Sequence, residues 1–238
     1  MKKISTILAI LALLVFAACN NANDKTAAST STDTPKAAAP DTPKAPEFKP
    51  FDVVEISHAV KNYSKWKPLF DNDSTARKAS GMEFIVIGRK NDKPNDVIVV
   101  LQISDVQKAK AFAADPRLKK VMDKGGVSSK PAIVYYHTIR FNPNSKEKQW
   151  VLVTHKVKDF DAWVKVFDAE GPAKRESFGL VDVALARGID DPNLVHIVFD
   201  IKDMAKAKAR MNDPDLKKLM TEAGVEGAPK IEFYTTGE

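Results

Sequence analysis

The chain has 238 residues, 44% hydrophobic and 29% charged, a composition that suits one or two globular domains and requires no nucleic acid or long membrane span. Setting aside Lys2 and Lys3, which head a removable leader, leaves 35 Lys and Arg against 31 Asp and Glu, and a net charge of +4 is too mild to demand a polyanionic partner. A single cysteine, Cys19, excludes an intramolecular disulfide and a zinc site made of cysteine ligands.

The first segment, "MKKISTILAILALLVFAAC", has two lysines, a greasy run and small residues ahead of a cut. Its unbroken apolar stretch, Ile7 to Ala18, falls short of the roughly 20 residues that a bilayer requires. It resembles the bacterial lipoprotein signal, in which two small residues precede a cysteine that receives a diacylglyceryl group. That resemblance implies a signal peptide over 1–18, lipidation at Cys19 and attachment to a membrane of the cell envelope, facing the periplasm or the exterior. Two or three acyl chains suffice for stable anchoring, where a single chain is marginal. Residues 19–50 are Ala, Thr, Ser, Pro and single charges, with too little apolar surface to offset the entropy of ordering. They read as a disordered tether, with a coil span of roughly 30 Å.

The remainder says one thing twice. "HAVKNYSKWKPLFD" at 58–71 returns as "HKVKDFDAWVKVFD" at 155–168, and "DPRLKKVMDKGGV" at 115–127 returns as "DPDLKKLMTEAGV" at 213–225. The offset is 97 positions up to Asp168 and 98 after a one-residue insertion. A unit of that size is a small domain and not a solenoid repeat. The units are placed at 51–141 and 149–238.

Within each unit "VVEISHAV" alternates with period two and predicts a strand, after which Asn62 or Asp159 caps a helix. Tyr63, Trp66, Leu69 and Phe70 share one face of that helix, as do Phe160, Trp163, Val166 and Phe167, and Gly81 or Gly179 ends it. A hairpin follows around "NDKPN" or "DDPN". A second helix opens at Asp105 or Asp203 and restarts at Pro116 or Pro214, where proline suits a first turn. "AIVYYHTI" and "KIEFYTT" close the units as strands.

This order is the ferredoxin-like βαββαβ fold, an α+β class with both helices on one sheet face. The bare face needs a cover, and the second copy supplies it. With its "H-x-V-x-[ND]-[YF]-x-x-W-x-x-x-F-D" stretch, the pair resembles the dimeric α+β barrel group of antibiotic-biosynthesis-monooxygenase-like and cyclase-like proteins. The resemblance implies a barrel closed within one chain, an intrachain pseudo-dimer expected to be monomeric. The fold itself dictates no activity.

Strand parity sorts the residues. Val54, Ile56, Val97, Val99, Leu101, Val151 and Val153 should lie under the helices, with His58 and His155 at the same parity beside the tryptophans. The opposite parity should face a lumen: Glu55, Ser57, Phe84, Val86, Gly88 and Gln102 from the first unit, then Leu152, Thr154, Asp182, Ala184, Ala186, His196 and Asp200 from the second. Small residues there leave room for a cavity. The acid/base candidates are His196 with Asp182 or Glu55, and the ligand-binding candidates are His58, His155, Arg89, Arg187, Ser57 and Thr154.

Against these stand plain structural roles: histidines packed beside tryptophan, Arg89 and Arg187 tied to their turns, lumenal polar groups satisfied at an interface. No metal spacing, serine triad, phosphate loop, dinucleotide motif or RNA-binding aromatic motif is present, so neither a metal site nor a nucleic-acid partner is expected. No cofactor is expected; one-histidine haem binding, known in relatives of the fold, is the alternative. Two functions follow. The first is a lipid-anchored envelope protein whose barrel binds a small apolar or amphipathic ligand, or a partner, without turnover. The second is a cofactor-independent monooxygenase- or cyclase-type enzyme acting in the lumen.

Overall fold

The computed structural model describes residues 48–237; the leader, Cys19 and the tether up to residue 47 lie outside them. The first copy runs β1 (Phe51–Ala59), α1 (Tyr63–Asn72), α2 (Ser74–Ala79), β2 (Met82–Lys90), β3 (Asp96–Ile103), α3 (Val106–Ala113), α4 (Pro116–Lys124) and β4 (Ala132–Phe141). The second runs β5 (Gln149–Val157), α5 (Phe160–Glu170), α6 (Pro172–Ser177), β6 (Leu180–Gly188), β7 (Leu194–Ile201), α7 (Met204–Met211), α8 (Pro214–Glu222) and β8 (Val225–Thr236).

Local chemistry sets the helix ends. The side chains of Asn62 and Asp159 accept from Lys65 N and Ala162 N, and Asp105 accepts from Gln107 N and Lys108 N, satisfying amides that a first turn leaves free. Pro116 and Pro214 each stand in the first turn of their helix, behind a capping aspartate. The sequence predicts one helix up to Gly81 or Gly179, whereas the chain makes two: α1 stops at Asp73 and α5 at Gly171, ahead of Pro172. Gly81 and Gly179 then turn the chain into β2 and β6 with φ of +74° and +75°.

The eight antiparallel strands close in the order β1-β3-β2-β8-β5-β7-β6-β4. Each copy contributes four neighbouring strands, and the seams are β2 with β8 and β4 with β6. At the β2–β8 seam Lys90 Nζ lies 2.8 Å from Glu232 Oε1. The sheets therefore do not merely stack; they share one ladder. Each copy keeps its own core between sheet and helices, with Val54, Val99, Leu101 and Trp66 in one and Val151, Ile197, Phe199 and Trp163 in the other. Two further clusters fill the barrel with side chains from both copies, namely Ile98 with Trp150, Leu152 and Tyr234, and Val53 with Tyr136 and Ala186.

Candidate functional site

The parity expected of β1, β3, β5 and β7 holds along their length, but β2 and β6 each carry a bulge, between Phe84 and Val86 and between Asp182 and Ala184. An extra residue inverts the faces on either side of it. Phe84 and Asp182, both expected in the lumen, therefore lie on the helix side. Phe84 meets the Phe70 ring edge-on at 6.2 Å, and Asp182 accepts two hydrogen bonds from the Arg175 guanidinium at 2.8 and 2.6 Å. Asp182 is thus corrected as a partner for His196; it belongs to the other face of the sheet.

Glu55 and His196 do meet. They sit on β1 and β7, which are not adjacent, and they reach each other across the lumen with His196 Nδ1 3.6 Å from Glu55 Oε2. That gap exceeds a hydrogen bond, and both atoms are buried without a hydrogen-bond partner. Burial pushes the Glu55 carboxyl up to about 8, with the Lys230 charge opposing and Glu232 reinforcing. It pushes the His196 imidazole down to about 3, and Lys230 adds to that effect. The contact is therefore not a salt bridge at neutral pH: an un-ionised acid faces an un-ionised imidazole.

The surroundings keep the pair dry and oriented. The Tyr136 ring lies against His196, tilted by 37° with centroids 4.2 Å apart, and its hydroxyl shares a hydrogen bond with the Thr154 side chain. Glu232, buried but hydrogen-bonded by Lys230 and Lys90, keeps its carboxyl below the usual range despite burial and supplies the fixed negative charge nearby. Beside the pair lies a cavity of about 410 Å³ lined by Val86, Val100, Leu152, Ala184, Ala186 and Asp200, among others. The segment joining the copies crosses its mouth, where Ser145 Oγ donates to Asp200 at 2.8 Å.

Comparing the copies position by position shows why the pair occurs once. Glu55 corresponds to Leu152 and His196 to Ile98, an apolar pair within the same lumenal cluster. Trp150 corresponds to Val53, and its indole occupies space that a side chain on Gly88 would take. Trp150, Tyr136 and Tyr234 were not singled out from sequence; subtracting one copy from the other would have flagged Trp150.

The other candidates are elsewhere. His58 and His155 lie in the helix–sheet cores, 5.5 and 5.3 Å edge-on from Trp66 and Trp163, and burial pushes both imidazoles down to about 4. Arg89 and Arg187 donate to Pro94 O and Pro192 O at 2.9 Å and lie over the Tyr63 and Phe160 rings, closing their hairpins. Ser57 pairs in register with Ile98 and Ala132, and Thr154 with His196 and Lys230.

Two of the four described histidines are unsuited to hold haem. Both ring nitrogens of His58 and of His155 are buried against protein, whereas His196, which lines the lumenal cavity, and His137 turn Nδ1 to Glu55 and Asp52 and leave Nε2 as the nitrogen that could ligate. No cluster of three or more metal-ligating side chains occurs among the described residues.

No protein-family model matches the chain, and no curated protein matches it in sequence. Solved structures do match in fold. A presumed monooxygenase from Lactobacillus acidophilus aligns with 78% of this chain and 94% of its own at 14% identity and a TM-score of 0.52. An anthrone oxidase-like protein aligns with 79% of this chain and 92% of its own at 13% identity and 0.52. A haem-binding protein from Thermus thermophilus aligns with 80% and 92% at 11% identity and 0.47. The chain has a monooxygenase-type α+β barrel fold. At these identities the likeness establishes the fold alone; two of the three names are enzyme-type and the third is that of a haem-binding protein. The expectation of a barrel that binds without turnover is corrected on the monooxygenase and oxidase-like names of the first two.

Proposed function

We propose that this protein is a cofactor-independent enzyme of monooxygenase or cyclase type, working by proton transfer in the barrel lumen. The observation that carries the reading is the buried, unpaired Glu55–His196 contact beside a cavity of about 410 Å³. The sequence reading cast His196 as acid/base and Glu55 as its orienter; the electrostatics favour the reverse. An imidazole pushed down to about 3 is a feeble base, whereas a carboxylate whose acid is pushed up to about 8 takes a proton readily near neutral pH.

Glu55 in its carboxylate form removes a proton from an activated C–H or O–H of an aromatic or enolisable substrate, becoming the neutral acid that its site prefers. The resulting anion either reduces dioxygen or closes on a carbonyl of its own skeleton. His196, neutral throughout, holds the carboxyl in place. With anthrone as a trial substrate the oxygenase branch converts anthrone and dioxygen to anthraquinone and water. Oxygen uptake with anthrone should be saturable, should rise with pH through a midpoint near 8, and should fall at least about a hundredfold in Glu55→Gln. Uptake indifferent to Glu55→Gln would refute the assignment. Product formation without uptake would select the cyclase branch.

We also propose export and lipidation at Cys19, on the strength of the leader sequence. Membrane fractionation should disappear in Cys19→Ser; unchanged fractionation would refute the anchor.

A further inference from the structure

The helix–sheet layers of the two copies should be equivalent, and they are not. Between the sheet and α5–α8 of the second copy lies a cavity of about 600 Å³, walled by Trp163, Phe167, Phe199, Met211, Met220 and Ile231. The matching space in the first copy is about 80 Å³. The sheet residues that face these spaces, Val54 and Ile56 in one and Val153 and Ile231 in the other, point away from the lumen, so neither space belongs to the Glu55–His196 site.

One substitution between the copies bears directly on the difference. Phe112, on α3, lines and fills the first space; its counterpart on α7 is Arg210. Arg210 is drawn to the end wall, where it donates to Glu170 at 2.6 Å and Asp213 at 2.9 Å and lies over the Phe178 ring. Glu170 and Phe178 correspond to Asn72 and Ser80, so the first copy lacks both the carboxylate and the ring that hold an arginine there. Arg175, beside Arg210, is held by Asp182, the residue that the bulge brings to this face and whose counterpart is Phe84. The second copy has thus exchanged a plug for a propped wall.

We infer that the second copy alone holds a further binding site, distinct from the lumen, for a neutral, largely apolar aromatic molecule. Neutrality follows from the walls: each guanidinium already has carboxylate partners, and Lys217, the lining cation without one, is solvent-exposed, so a charged group buried in the cavity would have to break an ion pair to find a counter-charge. Aromatic character follows from the three rings and two thioethers of the walls.

Methionine methyl groups report on both spaces at once. Met211 and Met220 line the large cavity, while Met82 and Met122 line its small counterpart. In the full chain labelled at methionine methyls, titration with naphthol should shift Met211 and Met220 saturably and leave Met82 and Met122 in place. Naphthalene sulfonate should bind at least about tenfold more weakly. Arg210→Phe, which writes the first copy's plug into the second, should abolish the shifts, and Glu55→Gln should leave them intact. Equal shifts at all four methionines, no shifts, or preference for the sulfonate would overturn the inference. The wild-type titration decides it even if Arg210→Phe does not fold, and its outcome does not depend on turnover in the lumen.

Discussion

Glu55 shows at the scale of one residue how a barrel interior creates reactivity. The same desolvation that holds its proton up to about 8 charges the folded state for every pH unit above the ordinary carboxyl value of 4.5. Replacing it by glutamine should therefore raise stability at pH 8 by roughly 4 kcal/mol, read by urea denaturation, while removing turnover. A loss of stability at pH 8 would mean that Glu55 is ionised and well solvated there. Gly88 makes the complementary steric point: Gly88→Ala should cost about 1–3 kcal/mol, because the added methyl collides with the Trp150 indole. The sequence showed Glu55 and His196 as partners through strand parity alone. It could not show which of them is the base, because that depends on how completely the barrel excludes water.

Among the elements, the bulges in β2 and β6 carry the largest consequence. Period-two alternation assigned β1, β3, β5 and β7 correctly and misplaced Phe84 and Asp182, since one unpaired residue reverses every face beyond it. Nothing in "MEFIVIGRK" or "LVDVALARG" marks the extra residue: neither run has glycine or proline at the bulge. The paired helices were a milder miss, for Gly171-Pro172 signals a break in the second copy and only Asp73 does so in the first. Caps, by contrast, were legible as Asn or Asp ahead of an amphipathic run. Asp105→Ala should lower stability by about 1 kcal/mol through loss of the bonds to Gln107 N and Lys108 N, measurable as a shift in the denaturation midpoint.

For the whole molecule, duplication is both the signal that made the fold readable and the device that made an asymmetric site. Two copies of one pattern announced a shared interior; the few positions where they disagree, Glu55 against Leu152, His196 against Ile98 and Phe112 against Arg210, are where the cavities acquire chemistry. Since Ile98 packs with Trp150, Leu152 and Tyr234 inside one barrel, urea should unfold both copies in a single transition followed identically by fluorescence and circular dichroism. Two separate transitions would contradict a common interior.

Stability should also peak close to pH 7. Below 6.5 the unfolded chain protonates His58, His155 and His196 while the folded chain, with these held down to about 4, 4 and 3, does not, so acid favours unfolding. Glu55 acts in the opposite sense, because the unfolded chain releases its proton near 4.5 and the folded chain keeps it to about 8, so stability falls as pH rises between those values. Three histidines outweigh one carboxyl on the acid side, by on the order of 4 kcal/mol between pH 6.5 and 4, and Glu55 alone governs the decline from pH 7 to 8.

The most direct measurement is the titration of the Glu55 carboxyl itself, followed by the infrared band of its protonated form in the wild type minus Glu55→Gln difference spectrum. The band should persist at neutral pH and vanish with a midpoint near 8. A carboxyl already ionised below pH 6 would contradict the account of the lumen as a dry site that makes the Glu55 carboxylate a strong proton acceptor.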